Sequence, residues 1–207
     1  QNLVNKIDQK GAVTVNQDVL LRDVNKTYHI CPTYDGGRDW TFSAYSPETN
    51  VMYVNLQNLC KSSFVRTDNV PSLPRNQYNT GGADTIADGK TNVGRIDAIS
   101  VETGKTVWSW ETPASTYSPV LATAGGIIFD GGMDRYFRSL DQADGKVIWQ
   151  TRLGSQVFGA PVTFSVKGRQ YIAVCAGGGY NGGPARLMPD IDQPPGANMV
   201  YVFALPE

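Results

Sequence analysis

Histidine and cysteine, the side chains best suited to metal ligation, thiol redox or nucleophilic chemistry at neutral pH, are few in this 207-residue sequence. His29 is the single histidine, so any acid, base or metal cluster built on imidazole would need other residue types to complete it. A hydrogen-bonded surface residue before a strand is the simpler reading. The three cysteines are Cys31, Cys60 and Cys175. Cys31 and Cys60 lie 29 positions apart, which suits neither a Cys-x-x-Cys redox pair nor zinc-ligand spacing. They read as a structural disulfide in an oxidising compartment, closing a loop that contributes about 3 to 4 kcal/mol in the chain-entropy model. The alternative is two buried free thiols in a cytosolic protein. Cys175, inside the apolar run from Tyr171 to Ala176, is expected to be an unpaired core thiol.

Two glycine-marked stretches could face a ligand. Gly36-Gly37 permits a tight turn, after which Arg38, Asp39 and Trp40 set a cation, a carboxylate and a wide aromatic at one strand entrance. The same composition also describes a turn with a surface ion pair and a packed tryptophan. Gly177 to Gly183 contains five glycines with Tyr180 and Asn181, so backbone there either approaches a ligand closely or merely turns. No helical pattern follows, which excludes a phosphate-binding dinucleotide loop.

What positions these residues is a repeat. Ala98, Gly104, Lys105 and Trp108 return as Ser139, Gly145, Lys146 and Trp149, each shifted by 41 positions. That period belongs to propeller blades or paired-helix arrays, and the residues between the copies decide for strands. Ser118–Ala122, Gly126–Asp130, Tyr136–Leu140 and Lys146–Gln150 are short β-favouring runs separated by Gly- or Asp-rich turns, four to a period. Ala44 to Thr49 is a degenerate third copy. The polar Asn, Asp, Gly and Pro-rich segment 61–93 reads as a long loop inserted before the next copy, and 184–198 as a second excursion. Residues 160–166 and 170–175 read as a hairpin, and Val200 to Leu205 as a strand matching the run into the repeat. From Gly11 to Leu21, alternation gives way to a pattern ambiguous between helix and strand.

With 41% hydrophobic and 18% charged residues the chain can bury a core. Net charge is −1 with no basic stripe, which argues against a nucleic-acid partner, and no apolar run approaches a membrane span. The start at Gln1 has neither an initiator Met nor the features of a signal peptide. A truncated chain is expected, because blades must close into a ring and the copies here are too few to do so.

The twice-written pattern resembles Ala-x-Asp-x-x-Thr-Gly-Lys-x-x-Trp, the tryptophan-docking motif of the pyrroloquinoline-quinone (PQQ) dependent alcohol dehydrogenases. Ser100 replaces its Asp in the first copy, and Ser139 and Asp144 replace its Ala and Thr in the second. The resemblance spans essentially the whole chain. Cys31 to Trp40, Thr116 to Val120, Asp134 to Arg138, Trp149 to Leu153 and the Val-Phe-Ala-Leu-Pro ending are most similar to the L-sorbose/L-sorbosone dehydrogenase branch.

The resemblance implies an all-β chain, the C-terminal portion of one eight-bladed propeller domain of four-stranded blades. It implies a structural Cys31–Cys60 disulfide, and blade-locking roles rather than cofactor contacts for Trp108 and Trp149. Cofactor contacts fall on Asp39, where many relatives have an Asn that touches the quinone, and on Trp40, Tyr117, Gly177, Gly178 and Tyr180. An ionised carboxylate at position 39 can only accept hydrogen bonds. Calcium or another divalent or lanthanide ion, with its ligands and the catalytic base, belongs to upstream blades outside this chain. The implied activity is periplasmic oxidation of alcohols, polyols, sugars or aldehydes, with an electron acceptor such as a cytochrome c and the remaining N-terminal part of the propeller as partners. This portion alone is expected to be inactive. A noncatalytic propeller that scaffolds envelope-protein assembly is the alternative, since it would use the same blade motif.

Overall fold

Turn chemistry cuts the chain into short strands. Where the two copies of the repeat turn, Gly104 and Gly145 adopt φ of 67° and 73°, left-handed values that glycine reaches without a Cβ penalty. The computed structural model describes residues 1–34, 36–66, 80–178, 183–188, 191, 194 and 196–204. They fall into two compact units, Gln1–Gly37 with Asn58–Thr91, and Arg38–Gln57 with Asn92–Glu207.

Strands alternate with turns throughout. The first unit opens with the hairpin β1 (Val4–Ile7) and β2 (Val13–Val15), a 3-10 turn at Gln17–Val19, and β3 (Thr27–Ile30). The chain then contributes β4 (Ala44–Ser46) and β5 (Val51–Gln57) to the second unit, and β6 (Leu59–Val65) and β7 (Thr80–Ile86) to the first. The rest builds the second unit: β8 (Gly94–Ser100), β9 (Thr106–Thr112), β10 (Leu121–Ala122), β11 (Ile127–Gly131), β12 (Tyr136–Asp141) and β13 (Val147–Arg152). It ends with β14 (Val162–Val166), β15 (Arg169–Ala176) and β16 (Met199–Ala204).

Within the second unit the sheets run β4-β5-β8-β9, β10-β11-β12-β13 and β14-β15-β16, all antiparallel and each in chain order. The first two are the four-stranded blades expected from the repeat. Their agreement extends to register: Ala98 faces Trp108 and Ser139 faces Trp149, and in both pairs a bulge follows the small residue.

The blades stack through apolar faces. Val51, Tyr53, Ile96 and Ala98 of the first pack with Val120, Ile128 and Leu140 of the second. Phe137, Leu153 and Val157 of the second pack with Ile172, Val174 and Ala176 of the third sheet. Because successive strand residues point to opposite faces, the other face of that third sheet carries Val162, Phe164, Val200 and Val202, all exposed.

Two expectations are corrected here. Segment 61–93 is not a plain loop, since β6 and β7 form a hairpin and β3 pairs with β6. Polar residues hid it: a ladder needs only backbone groups, and Gly81, opposite Phe64, leaves room for that ring where a Cβ would collide. Cys175 is unpaired but exposed rather than in the core, because it alternates with Val174 and Ala176, which take the packed face. In 184–198, a 3-10 turn at Gly183–Leu187 leads to buried Met188, whose sulfur accepts from the Ser115 amide at 3.3 Å.

Candidate functional site

The Gly36-Gly37 turn delivers a braced arm. Arg38 directs its guanidinium to the Thr41 carbonyl, with Nε at 3.2 Å and an Nη at 2.9 Å, which closes the backbone over residues 38–41. Asp39 and Trp40 are left at the surface, with Trp40 59% exposed rather than packed. The next residue but one, Phe42, accepts the Val120 amide at 3.2 Å. The arm is thereby tied to the segment that leads into the second blade.

That segment carries Tyr117, which is buried, its ring 5.5 Å from that of Phe158. Its neighbours are held from both sides. The Asn55 amide Nδ2 donates to the Ser118 carbonyl at 2.7 Å and lies 3.4 Å from that of Thr116, while the Ser118 hydroxyl donates to the Gly159 carbonyl at 2.9 Å.

Gly177 and Gly178 are each held by a hydrogen bond. The Gly177 amide donates to the Gln156 carbonyl at 2.8 Å, and the Gly178 amide to Asn198 Oδ1 at 3.0 Å. Both have positive φ, 147° and 97°, and a Cβ on Gly178 would come to 4.0 Å from the Phe158 ring. Phe158 therefore lies between Tyr117 and Gly178. A pocket of about 430 Å³ opens beside them, lined by Gly159, Cys175, Gly177 and Asn198. Tyr180 lies outside the described residues.

One group of metal-ligating side chains occurs among the described residues, His29 with Cys31 and Cys60. Cys31 and Cys60 are bonded to each other, S–S 2.06 Å, so neither is a thiolate ligand. His29 instead sits 3.3 Å from Cys31 Sγ and 3.5 Å from an Asp88 carboxylate oxygen. No helix among the described residues is long and apolar enough to cross a membrane.

Residues 115–172 match the family described as PQQ: glucose/ethanol/alcohol dehydrogenase, β-propeller domain. The chain belongs to this family of quinoprotein dehydrogenase propellers. It is 35% identical over 162 residues to a lanthanide-dependent methanol dehydrogenase of Methylacidiphilum fumariolicum, which covers 75% of this chain and 26% of the relative. It is 30% identical over 186 residues to a quinoprotein ethanol dehydrogenase of Pseudomonas aeruginosa, 87% of this chain and 29% of the relative. Among solved structures, a europium-containing methanol dehydrogenase matches 99% of this chain and 39% of its own, with a TM-score of 0.83 and 26% identity. The chain thus spans between about a quarter and two fifths of the quinoproteins it resembles.

Around the expected quinoprotein residues the structure adds others that hold them: Asn55, Phe158 and Asn198. Asn55 sits on a strand of apolar and polar residues with no spacing to mark it, and Asn198 is remote from the glycine it caps. Asp130 had one sequence signal, a carboxylate at the end of the apolar run Ile127-Ile-Phe, and the structure places it fully buried against Asn55.

Proposed function

We propose that the complete protein is a PQQ-dependent dehydrogenase of alcohols, polyols, sugars or aldehydes, acting in the periplasm, with this chain as one wall of the quinone site. The observation that carries the reading is Trp40, an indole left open on an arm that Arg38 and Val120 brace. An uncovered aromatic suits a flat heterocycle because the ring offers a stacking face, and glycines such as Gly177 and Gly178 would let backbone come close to it. Trp40, Tyr117, Gly177 and Gly178, with Tyr180, would line the group, and Asp39 would accept a hydrogen bond from it or from the substrate.

When bound, the quinone supplies the two-electron oxidising power, with a divalent or lanthanide ion as Lewis acid. This chain's residues orient the group and exclude water from one side. The ion, the catalytic base and the remaining blades of an eight-bladed ring fall to the rest of the protein, whose blade would cover the open face of Val162, Phe164, Val200 and Val202. On this reading the whole of 1–207 is the C-terminal part of a single propeller domain and is inactive alone. The pattern of Cys31 to Trp40 supports a sugar- or polyol-oxidising branch of the L-sorbose/L-sorbosone type, with a cytochrome c as a fitting electron acceptor.

The test is reconstitution of the full-length protein with PQQ and calcium, or a lanthanide, in the presence of a dye acceptor. Dye reduction that depends on an alcohol or sugar is expected; its absence with every metal and substrate class would refute the assignment.

A further inference from the structure

The 116–118 backbone is gripped by a pair of side chains that the cofactor reading leaves unused. Asn55, from β5, offers Nδ2 to three oxygens at once: Ser118 O at 2.7 Å, Asp130 Oδ1 at 2.8 Å and Thr116 O at 3.4 Å. Asp130, from β11 of the next blade, is completely buried, and Asn55 is nearly so. Among the described residues, Asn55 Oδ1 and Asp130 Oδ2 have no hydrogen-bond partner. A buried carboxylate with one bare oxygen is costly, whereas a neutral acid is far less so.

We propose that Asp130 and Asn55 form a neutral acid–amide clamp that fixes the Thr116–Ser118 backbone, making Asp130 a positioning residue for Tyr117. The charges near Asp130 agree with a neutral acid. Arg138 is its partner across β11 and β12, yet the guanidinium is bound to both carboxylate oxygens of Asp134 and to Gln150 Oε1 at 3.3 Å. From β5, the group Asp130 bonds among the described residues is the neutral Asn55 amide, which also holds the Thr116 and Ser118 carbonyls. Burial pushes the Asp130 carboxyl up to about 8, with the Asp134 carboxylate adding to the rise. Arg138, the Asn55 bond and the Gly131 backbone oppose it without overcoming it. Ionisation above that pH puts an unbalanced charge inside the clamp and loosens the segment.

Only the role given to Tyr117 rests on the quinone reading; the clamp itself does not. Its test therefore uses neither cofactor nor turnover: hydrogen exchange by mass spectrometry on the full-length protein, wild type, Asp130→Asn and Asp130→Ala, at pH 6 and pH 9 with intrinsic rates corrected. In wild type, peptides covering residues 116–120 should exchange about threefold or more faster at pH 9 than at pH 6, the scale of one lost hydrogen bond. Asp130→Asn should exchange slowly at both pH values and Asp130→Ala fast at both. Wild-type exchange independent of pH, or Asp130→Asn as fast as Asp130→Ala, would overturn the clamp. Either result would leave the quinone reading standing, and a protein that binds no quinone would leave the clamp standing.

Discussion

The indole of Trp108 donates its Nε1–H to the Gln142 carbonyl at 2.9 Å and lies over Gly145, where a Cβ would come within 2.6 Å of the ring. The two residues belong to successive copies of the repeat, so the tryptophan of one blade rests on the glycine turn of the next. Trp149 follows the same logic, its ring 5.3 Å from Phe203 of the third sheet. Both tryptophans are blade-to-blade contacts.

Glycine at 145 thus meets two demands and glycine at 104 only one. Gly145 has φ 73° and the Trp108 ring against it, while Gly104 has φ 67° and open space. Gly145→Ala should cost about 2 to 4 kcal/mol, left-handed backbone plus overpacking, and Gly104→Ala about 1 to 2 kcal/mol. Chemical denaturation of the full-length variants measures both; equal losses would contradict the docking.

Asp130 gives stability a pH dependence of unusual sign. Its unfolded value is near 3.8 and its folded value near 8, so between those pH values the folded chain holds a proton that the unfolded chain has lost. The contribution is complete below about pH 4, falls as pH rises, and levels off above about pH 8. Asp130→Asn should raise the melting temperature at pH 8 and leave it nearly unchanged at pH 4. Melting curves across that range check it.

The Cys31–Cys60 bond closes a loop of 29 positions that passes through Arg38–Gln57 of the second unit and starts and ends in the first. Replacing both cysteines by alanine should destabilise that unit by about 3 to 4 kcal/mol in the chain-entropy model. Urea unfolding followed by hydrogen exchange at β3 and β6 would show it, and no change in protection there would count against it.

Residues 1–207 alone expose Val162, Phe164, Val200 and Val202 on one sheet face. Such a patch favours association, so this portion should elute as oligomers or aggregate, without dehydrogenase activity. Size-exclusion chromatography distinguishes that from a cooperative monomer.

The blades were legible because a 41-residue shift preserves Gly and Trp, and the register of Ala98 with Trp108 and Ser139 with Trp149 repeats that shift in space. The hairpin of β6 and β7 was not, since ladders form from backbone and its polar residues read as loop. The exposure of Cys175 was lost in a continuous apolar run, where composition does not say which face each residue takes. Asp39, Trp40, Tyr117 and the two glycines could be named from resemblance. Asn55 and Asp130 could not be paired from sequence, because only the fold brings residues 75 positions apart into contact.

Trp40 and Tyr117 are the aromatic residues proposed to hold the quinone. The most direct measurement is a titration of PQQ into the full-length apoprotein with calcium or a lanthanide, followed by quinone absorbance, for wild type, Trp40→Ala and Tyr117→Ala. One equivalent should bind saturably to wild type, and each variant should bind about tenfold more weakly, the scale of one lost aromatic contact. No saturable binding, or variants that bind as tightly as wild type, would contradict it.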